Sequence, residues 1–350
     1  MKNIYILGPS KSGKTAVGAG LALKLQQEGY RVSYFKPVGN AIGPGGKDED
    51  GLLMKHLLNI DHSIDTIVPC IAGPAYLSGY RKKESVDRIM SAYEKIAQRA
   101  DIVIIGGAGS PYILASFGMD SATLAEKLNA ITVFLIRIEN DFSLDQAIFY
   151  NKYFINKGIT VAGNIFNNVP RPLLAKTEGV YRNILESRGL KTLGIIPVRA
   201  NIASPTVAEY HEVLGGEILT GERHMDRLVE DVIIGAMTLD SALGYLRRAP
   251  NKAIITGGDR ADIALAALET STSALILTGG LYPDVKVIAR AAEKKVPVIL
   301  VHYDTYSTIE KINEVSKRIR PDDKLSIKVA RENMETYCNW KYILDFARGE

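Results

Sequence analysis

The chain has 350 residues, 46% of them hydrophobic and 23% charged, with a formal net charge of +4. A charge so small and dispersed leaves no footprint for nucleic acid, and no apolar run reaches the length of a membrane span. Cys70 and Cys338 have no metal or redox spacing and the five histidines form no ligand motif, so no zinc site is expected and a reducing cytoplasm is the expected compartment. The length is more than one typical core uses, so two domains are expected.

The chain opens on an apolar run, Ile4-Tyr5-Ile6-Leu7, that reads as a buried strand and not as a signal segment. Gly8-Pro9-Ser10-Lys11-Ser12-Gly13-Lys14-Thr15 follows and fits G-x-x-x-x-G-K-[ST] without a gap. Residues 16–27, from Ala16, read as a helix. A strand, a glycine loop and a helix in this order form the context of a phosphate-binding loop. Loop amides and the first amides of the helix point at an anion, in line with the helix dipole. Lys14 would reach the outer phosphates and the Thr15 hydroxyl a Mg²⁺ ion. An ordinary glycine turn before a helix seldom carries the full pattern, so the chain is expected to bind a nucleoside triphosphate, ATP, with Mg²⁺.

Strand and helix signals then alternate. Residues 31–35 read as a short strand ended by Lys36-Pro37-Val38, since proline cannot donate to a ladder. A glycine-rich loop at 39–46 leads to Lys47-Asp48-Glu49-Asp50 and a helix over 51–58. Residues 61–80 read as irregular, and 86–97 as a helix. The run 102–105 is apolar throughout, as for a strand covered on both faces. Further strands are expected at 131–136, 160–166 and 193–196, with helices at 143–156 and 173–188. Alternation of this kind implies a doubly wound, mostly parallel α/β sheet. Ligands in such sheets lie beyond the carboxyl ends of the strands. The loops to inspect are therefore 8–15, 36–50, 106–110, 167–170 and 197–201.

The pattern breaks at 200–222 and then restarts. Strands are expected at 232–234, 253–256, 274–277 and 298–301, with helices between them. The expected organisation is a nucleotide-binding domain over 1–210, a second, smaller α/β domain over 211–322, and a helical extension over 323–350.

Lys36 is aimed at the carboxyl edge near the expected triphosphate, although a solvated lysine at a strand end fits the spacing equally well. Asp48 and Asp50 fit either a metal site beside Thr15 or an acidic turn favoured by a helix dipole. Asn167 and Asn168 before Pro170 fit a turn on their own account.

A phosphate loop at the start and a strand ending in Lys36-Pro37-Val38 resemble the dethiobiotin synthetase family, and equally the dethiobiotin synthetase-like N-terminal region of the long phosphotransacetylases. Residues 101–109, ending in Gly106-Gly107-Ala108-Gly109, resemble the family strand that ends in Glu-Gly-Ala-Gly. Residues 163–170 resemble its adenine-side strand, and Leu193-Gly194-Ile195-Ile196-Pro197 its next strand. The similarity covers about residues 1–210. It implies ATP and Mg²⁺ as cofactors and catalytic roles for Lys14 and Lys36, while Thr15, Asp48 and Asp50 are the candidate metal ligands that this chain itself offers. It implies nucleotide contacts from Gly8, Ser10, Lys11, Ser12, Gly13, Lys14, Thr15 and Ala16, with adenine recognition by Asn167 and a contact at Pro197. One departure stands out: where the family carries a glutamate that helps hold Mg²⁺, this chain has Gly106. A missing acidic ligand weakens the case for phosphoryl transfer, where metal neutralises developing charge.

Gly257-Gly258-Asp259-Arg260 and Thr278-Gly279-Gly280 resemble the two signatures of the DRTGG domain, and 232–237 its opening strand. Asp259 fits a helix cap as well as a ligand site. Long phosphotransacetylases carry this domain directly behind the dethiobiotin synthetase-like one. The expectation is the same order here, without the catalytic phosphotransacetylase domain. The expected function is nucleotide-dependent regulation, with a weak ATPase at most. A phosphotransacetylase or a second copy of the chain, as a dimer, is the expected protein partner. The alternative is an ATP-dependent ligase of dethiobiotin synthetase type acting on a small carboxylate or carbamate.

Overall fold

The computed structural model describes residues 2–40, 48–73, 76–78 and 82–349. Most of the glycine-rich loop expected at 39–46, with Lys47 and Arg81, lies outside the described residues. The chain forms two compact units, 1–198 together with 319–350, and 199–318.

The first unit is built on β1 (Asn3–Leu7), five residues that are all buried. Around it lie β2 (Val32–Phe35), β5 (Ile102–Gly106), β6 (Ala130–Ile136), β7 (Val161–Val169) and β8 (Thr192–Pro197). The sheet order is β2-β5-β1-β6-β7-β8 and every neighbouring pair is parallel. Helices cover both faces, which is why these strands read as unbroken apolar runs and not as alternating ones. The connection after β1 runs towards one edge and the connection after β5 crosses to the other side. The crevice between them opens at the carboxyl end of β1, where doubly wound sheets hold ligands.

Residues 61–80, expected to be irregular, contain a short helix (Ile64–Ile67) and a strand β4 (Cys70–Ile71). That strand pairs in parallel with β3 (Val38–Gly39). Two-residue strands carry no period for a sequence pattern to reveal.

The polar C-terminal helices, Lys324–Tyr337 and Trp340–Arg348, are part of the first unit. The expected extension at 323–350 therefore completes the nucleotide-loop unit, and the division falls at 198/199, ahead of the expected 210/211. The first of these helices packs on α1 (Lys14–Gln27), the helix that follows the phosphate loop. Gly20 makes the approach possible, because a Cβ there would overlap the carbonyl of Ala330. Val329 and Met334 on this helix, and Ile343 and Leu344 on the next, are buried. The amide of Lys2 donates to the carbonyl of Ala347 at 2.8 Å, so the two ends of the described chain meet.

The second unit holds β9 (Glu217–Thr220), β10 (Asp231–Ile234), β11 (Lys252–Gly257), β12 (Thr272–Thr278) and β13 (Val298–Leu300), in the order β10-β11-β12-β13-β9. Four strands are parallel and match the expected ones; β9 adds an antiparallel edge that was not expected. Helix Val207–Leu214 is started by a capping box between Thr206 and Glu209. Apolar clusters around Leu275 and Ile276 line the two faces of this sheet.

Candidate nucleotide site

The loop at residues 8–13 turns through left-handed backbone at Lys11 (φ 58) and Gly13 (φ 84). At Gly13 a glycine is required twice over, by that φ and by Asn167, whose amide a Cβ would overlap. Asn167 Nδ2 donates to the carbonyl of Ser12 at 2.8 Å and so braces the loop. The first amides of α1, from Lys14, Thr15 and Ala16, have no partner within the helix and face the crevice. The Ser12 hydroxyl is fully buried and has no hydrogen-bond partner among the described residues. A buried hydroxyl left unpaired is costly, and a phosphate oxygen would satisfy it. Ser10 and Lys11 lie on the exposed side of the loop.

Lys14 Nζ donates to the carbonyls of Gly8 (3.0 Å) and Pro9 (2.7 Å). Burial lowers its pKa to about 8, Asp50 opposes that shift and Lys36 adds to it. The Thr15 hydroxyl donates to Asp50 Oδ1 at 2.6 Å. Lys36 Nζ donates to Asp48 Oδ2 at 2.7 Å and to Asp50 Oδ2 at 2.6 Å. Burial works against the Lys36 charge, but Asp50 and Asp48 outweigh it and its pKa is raised. Burial likewise pushes the Asp50 carboxyl upward, and Lys36, Thr15 and Lys14 together bring it below its ordinary value.

The two aspartates differ. Asp48 is buried and caps helix α2 (Glu49–Leu57) through Gly51 N–H at 3.0 Å. Its other oxygen accepts from Asn40 N–H at 2.8 Å as well as from Lys36. Asp50 is half-exposed and stands next to Thr15. Among the described residues no group of three or more His, Cys, Asp or Glu gathers to hold a metal. The Thr15 hydroxyl and the Asp50 carboxylate are two hard oxygen ligands already side by side. They fit Mg²⁺, which takes one or two protein oxygens and completes its shell with phosphate and water.

Gly106 ends β5, and a Cβ there would overlap the hydroxyl of Tyr34. Burial, with Asp50 and Asp48 nearby, holds the Tyr34 pKa well above its usual range. Sequence reasoning found Gly106 but not Tyr34; their pairing follows from the β2–β5 register, which sets Tyr34 opposite Ile104. Asn167 belongs to β7 and not to a turn, and Asn168 (φ 53) marks the irregularity after it. Pro197 is registered with Val169 on the neighbouring strand, at the same edge of the sheet.

In the second unit Gly257 and Thr278 are paired in register, so the two glycine signatures share one sheet edge. A Cβ at Gly258 would overlap the carbonyl of Leu281, so this glycine serves close packing of two loops. Arg260 is held by Asp262 at 3.0 Å and by the carbonyl of Met237 at 2.9 Å, tying the loops after β10 and β11. Asp259 does not cap the following helix, whose N-cap is Arg260.

Comparison with known proteins matches residues 2–206 to the AAA domain family and residues 209–315 to the DRTGG domain family. A phosphate acetyltransferase of Nitratidesulfovibrio vulgaris is 27% identical over 96% of this chain and 50% of its own length. The chain thus spans about half the length of that relative. An ATP-dependent dethiobiotin synthetase of Methanocaldococcus jannaschii is 30% identical over 56% of this chain and 94% of its own length. Among solved structures, the CBS and DRTGG regulatory region of Clostridium perfringens pyrophosphatase, complexed with diadenosine tetraphosphate, is 19% identical with a TM-score of 0.29. It covers 48% of this chain and 85% of that one. By the match over more than half its length, the chain belongs to the AAA domain family, as a dethiobiotin synthetase-like phosphate-loop unit followed by a DRTGG domain.

Proposed function

We propose that this protein is a nucleotide-dependent regulator. ATP with Mg²⁺ binds at the loop between β1 and α1, is hydrolysed slowly at most, and sets how the DRTGG unit meets a partner. Thr15 and Asp50 would hold the metal, which would neutralise phosphate charge. Ser12, Lys14 and the amides of Lys14, Thr15 and Ala16 would hold the phosphates, and Asn167 and Pro197 lie at the edge left for the base. The partner would be a phosphotransacetylase or a second copy of the chain, a proposal that leans on the shared domain order of the half-matched relative.

The observation that carries regulation over synthesis is the position of Lys36. Its ammonium is almost wholly buried between Asp48 and Asp50. A lysine so engaged is poorly placed to clamp a substrate carboxylate. The dethiobiotin synthetase reading is favoured by one fact, the near full-length match to that enzyme. A phosphate-release assay decides between them. Hydrolysis of ATP is expected to be slow and to respond little to diaminopelargonic acid with bicarbonate. Strong stimulation by that pair would establish the synthetase reading instead.

A further inference from the structure

Tyr34 is the part of the site that the phosphate-loop pattern leaves unexplained. It lies on the same face of the chain as Lys36, two residues on. Its side chain leans along the strand so that the hydroxyl sits over Gly106. The backbone of Gly106 is not in the left-handed region, so the missing side chain provides space and not conformational freedom. The tyrosine is 3% exposed, and its hydroxyl makes no hydrogen bond with any described residue. The hydroxyl is not among the fully buried unpaired side-chain atoms, so its oxygen keeps an opening through which a ligand can pair with it. The adjacent Gly107 lies against Lys14, whose Cδ would be 3.4 Å from a Cβ there. Loop amides surround the inner phosphates in this kind of site, and the lysine, the hydroxyl of the helix and its carboxylate mark the outer end. The Tyr34 hydroxyl, over Gly106 and within electrostatic reach of Asp50 and Asp48, stands on the side of that outer group.

We propose that Tyr34 donates a hydrogen bond from its hydroxyl to the terminal phosphate of a bound nucleoside triphosphate and makes the site prefer triphosphate over diphosphate. This rests on the nucleotide-binding reading above. A phenol is neutral at pH 7 and offers a donor, whereas a carboxylate at residue 106 would repel phosphate unless metal bridged the two. The exchange suits a protein that reports which nucleotide is present more than one that consumes it.

Calorimetry on the full chain, with ATP and with ADP in the presence of Mg²⁺, tests this. Tyr34→Phe keeps the ring and removes the donor. It is expected to weaken ATP binding roughly tenfold, the scale of one hydrogen bond to a charged group, and to leave ADP within about twofold. The melting temperature, read in parallel, is expected to stay at the wild-type value. If it falls, Gly106→Ala, which displaces the hydroxyl while leaving it in place chemically, must reproduce the loss of ATP preference for the proposal to stand. An unchanged ATP-to-ADP ratio in Tyr34→Phe, or equal losses for both nucleotides, would overturn it. A wild-type chain that binds neither nucleotide fails the nucleotide reading itself, and is told apart because no ratio then exists.

Discussion

Replacing Asp48 and Asp50 in turn separates support from ligation. Asp48→Ala removes the acceptor for three donors: Gly51 N–H, Asn40 N–H and the Lys36 ammonium. Loss of an N-cap costs about 1 kcal/mol. A bond to a buried charged group is worth about 1.5–3 kcal/mol, and a neutral amide bond about 0.5–1.5 kcal/mol. Lys36 keeps Asp50 as a partner, so the buried charge is not wholly orphaned. The expected loss is therefore about 3–5 kcal/mol, and about half of that for Asp48→Asn, which still caps the helix. Asp50 has a side chain 36% exposed. Its exchange for alanine is expected to cost about 1–2 kcal/mol, less than for Asp48, because water can replace the more open carboxylate and Asp48 still pairs with Lys36. Urea unfolding followed by the fluorescence of Trp340 measures this cleanly, since the chain has one tryptophan and it lies in the first unit. The same variants, titrated with ATP and Mg²⁺, should show the reverse order, with Asp50→Ala losing the metal dependence of binding. A wild-type stability for Asp48→Ala, or a greater stability loss for Asp50→Ala, would refute the division of labour.

Lys14→Ala should weaken ATP binding tenfold or more by calorimetry, at about 1.5–3 kcal/mol for each charge-assisted bond. Because burial lowers the Lys14 pKa to about 8, the free protein loses that proton as pH rises through 8, and binding must then restore it. ATP affinity should accordingly fall above pH 8 with proton uptake on binding, and the slope should vanish in Lys14→Ala. The same shift makes the charged lysine a cost to folding below pH 8 that is relieved between 8 and the unfolded value near 10.4, so its own contribution to stability rises with pH there. Residues 199–318, expressed alone, should unfold cooperatively in a thermal scan, having their own sheet with apolar clusters on both faces. Removing 319–350 should leave the first unit unfolded by circular dichroism. Val329, Met334, Ile343 and Leu344 each contribute about 1.5–3 kcal/mol on burial, which together rivals the stability of a whole domain.

What could be read from the sequence was whatever lies in one contiguous stretch. Residues 8–15 with the strand before and the helix after are such a stretch, and the sheet strands of both units are apolar runs of the right length. Lys36, Asp48 and Asp50 were legible as candidates but not as a cluster, because their roles depend on which oxygen faces which donor. Asn167 looked like a turn residue, since asparagine beside proline favours turns, yet the strand runs on through it to Val169. Tyr34 and Gly106 are brought together only by strand pairing across the sheet, and no local pattern carries that information. The C-terminal helices read as polar, and their buried face became visible only against Gly20 of α1.

The hydrogen bond from Lys2 to Ala347 makes residues 2–347 a nearly closed loop in the topological sense. A short linker between the two ends would add little closure entropy, because the ends are already in contact. New termini could then be cut into an exposed turn such as the one around Gly158, and the same sheet order and phosphate loop would be traversed from a different starting point. The order in which the strands leave the ribosome would change while the native contacts would not. Such a rewired chain would show whether β1 and its loop must be made before the other strands for the nucleotide unit to form.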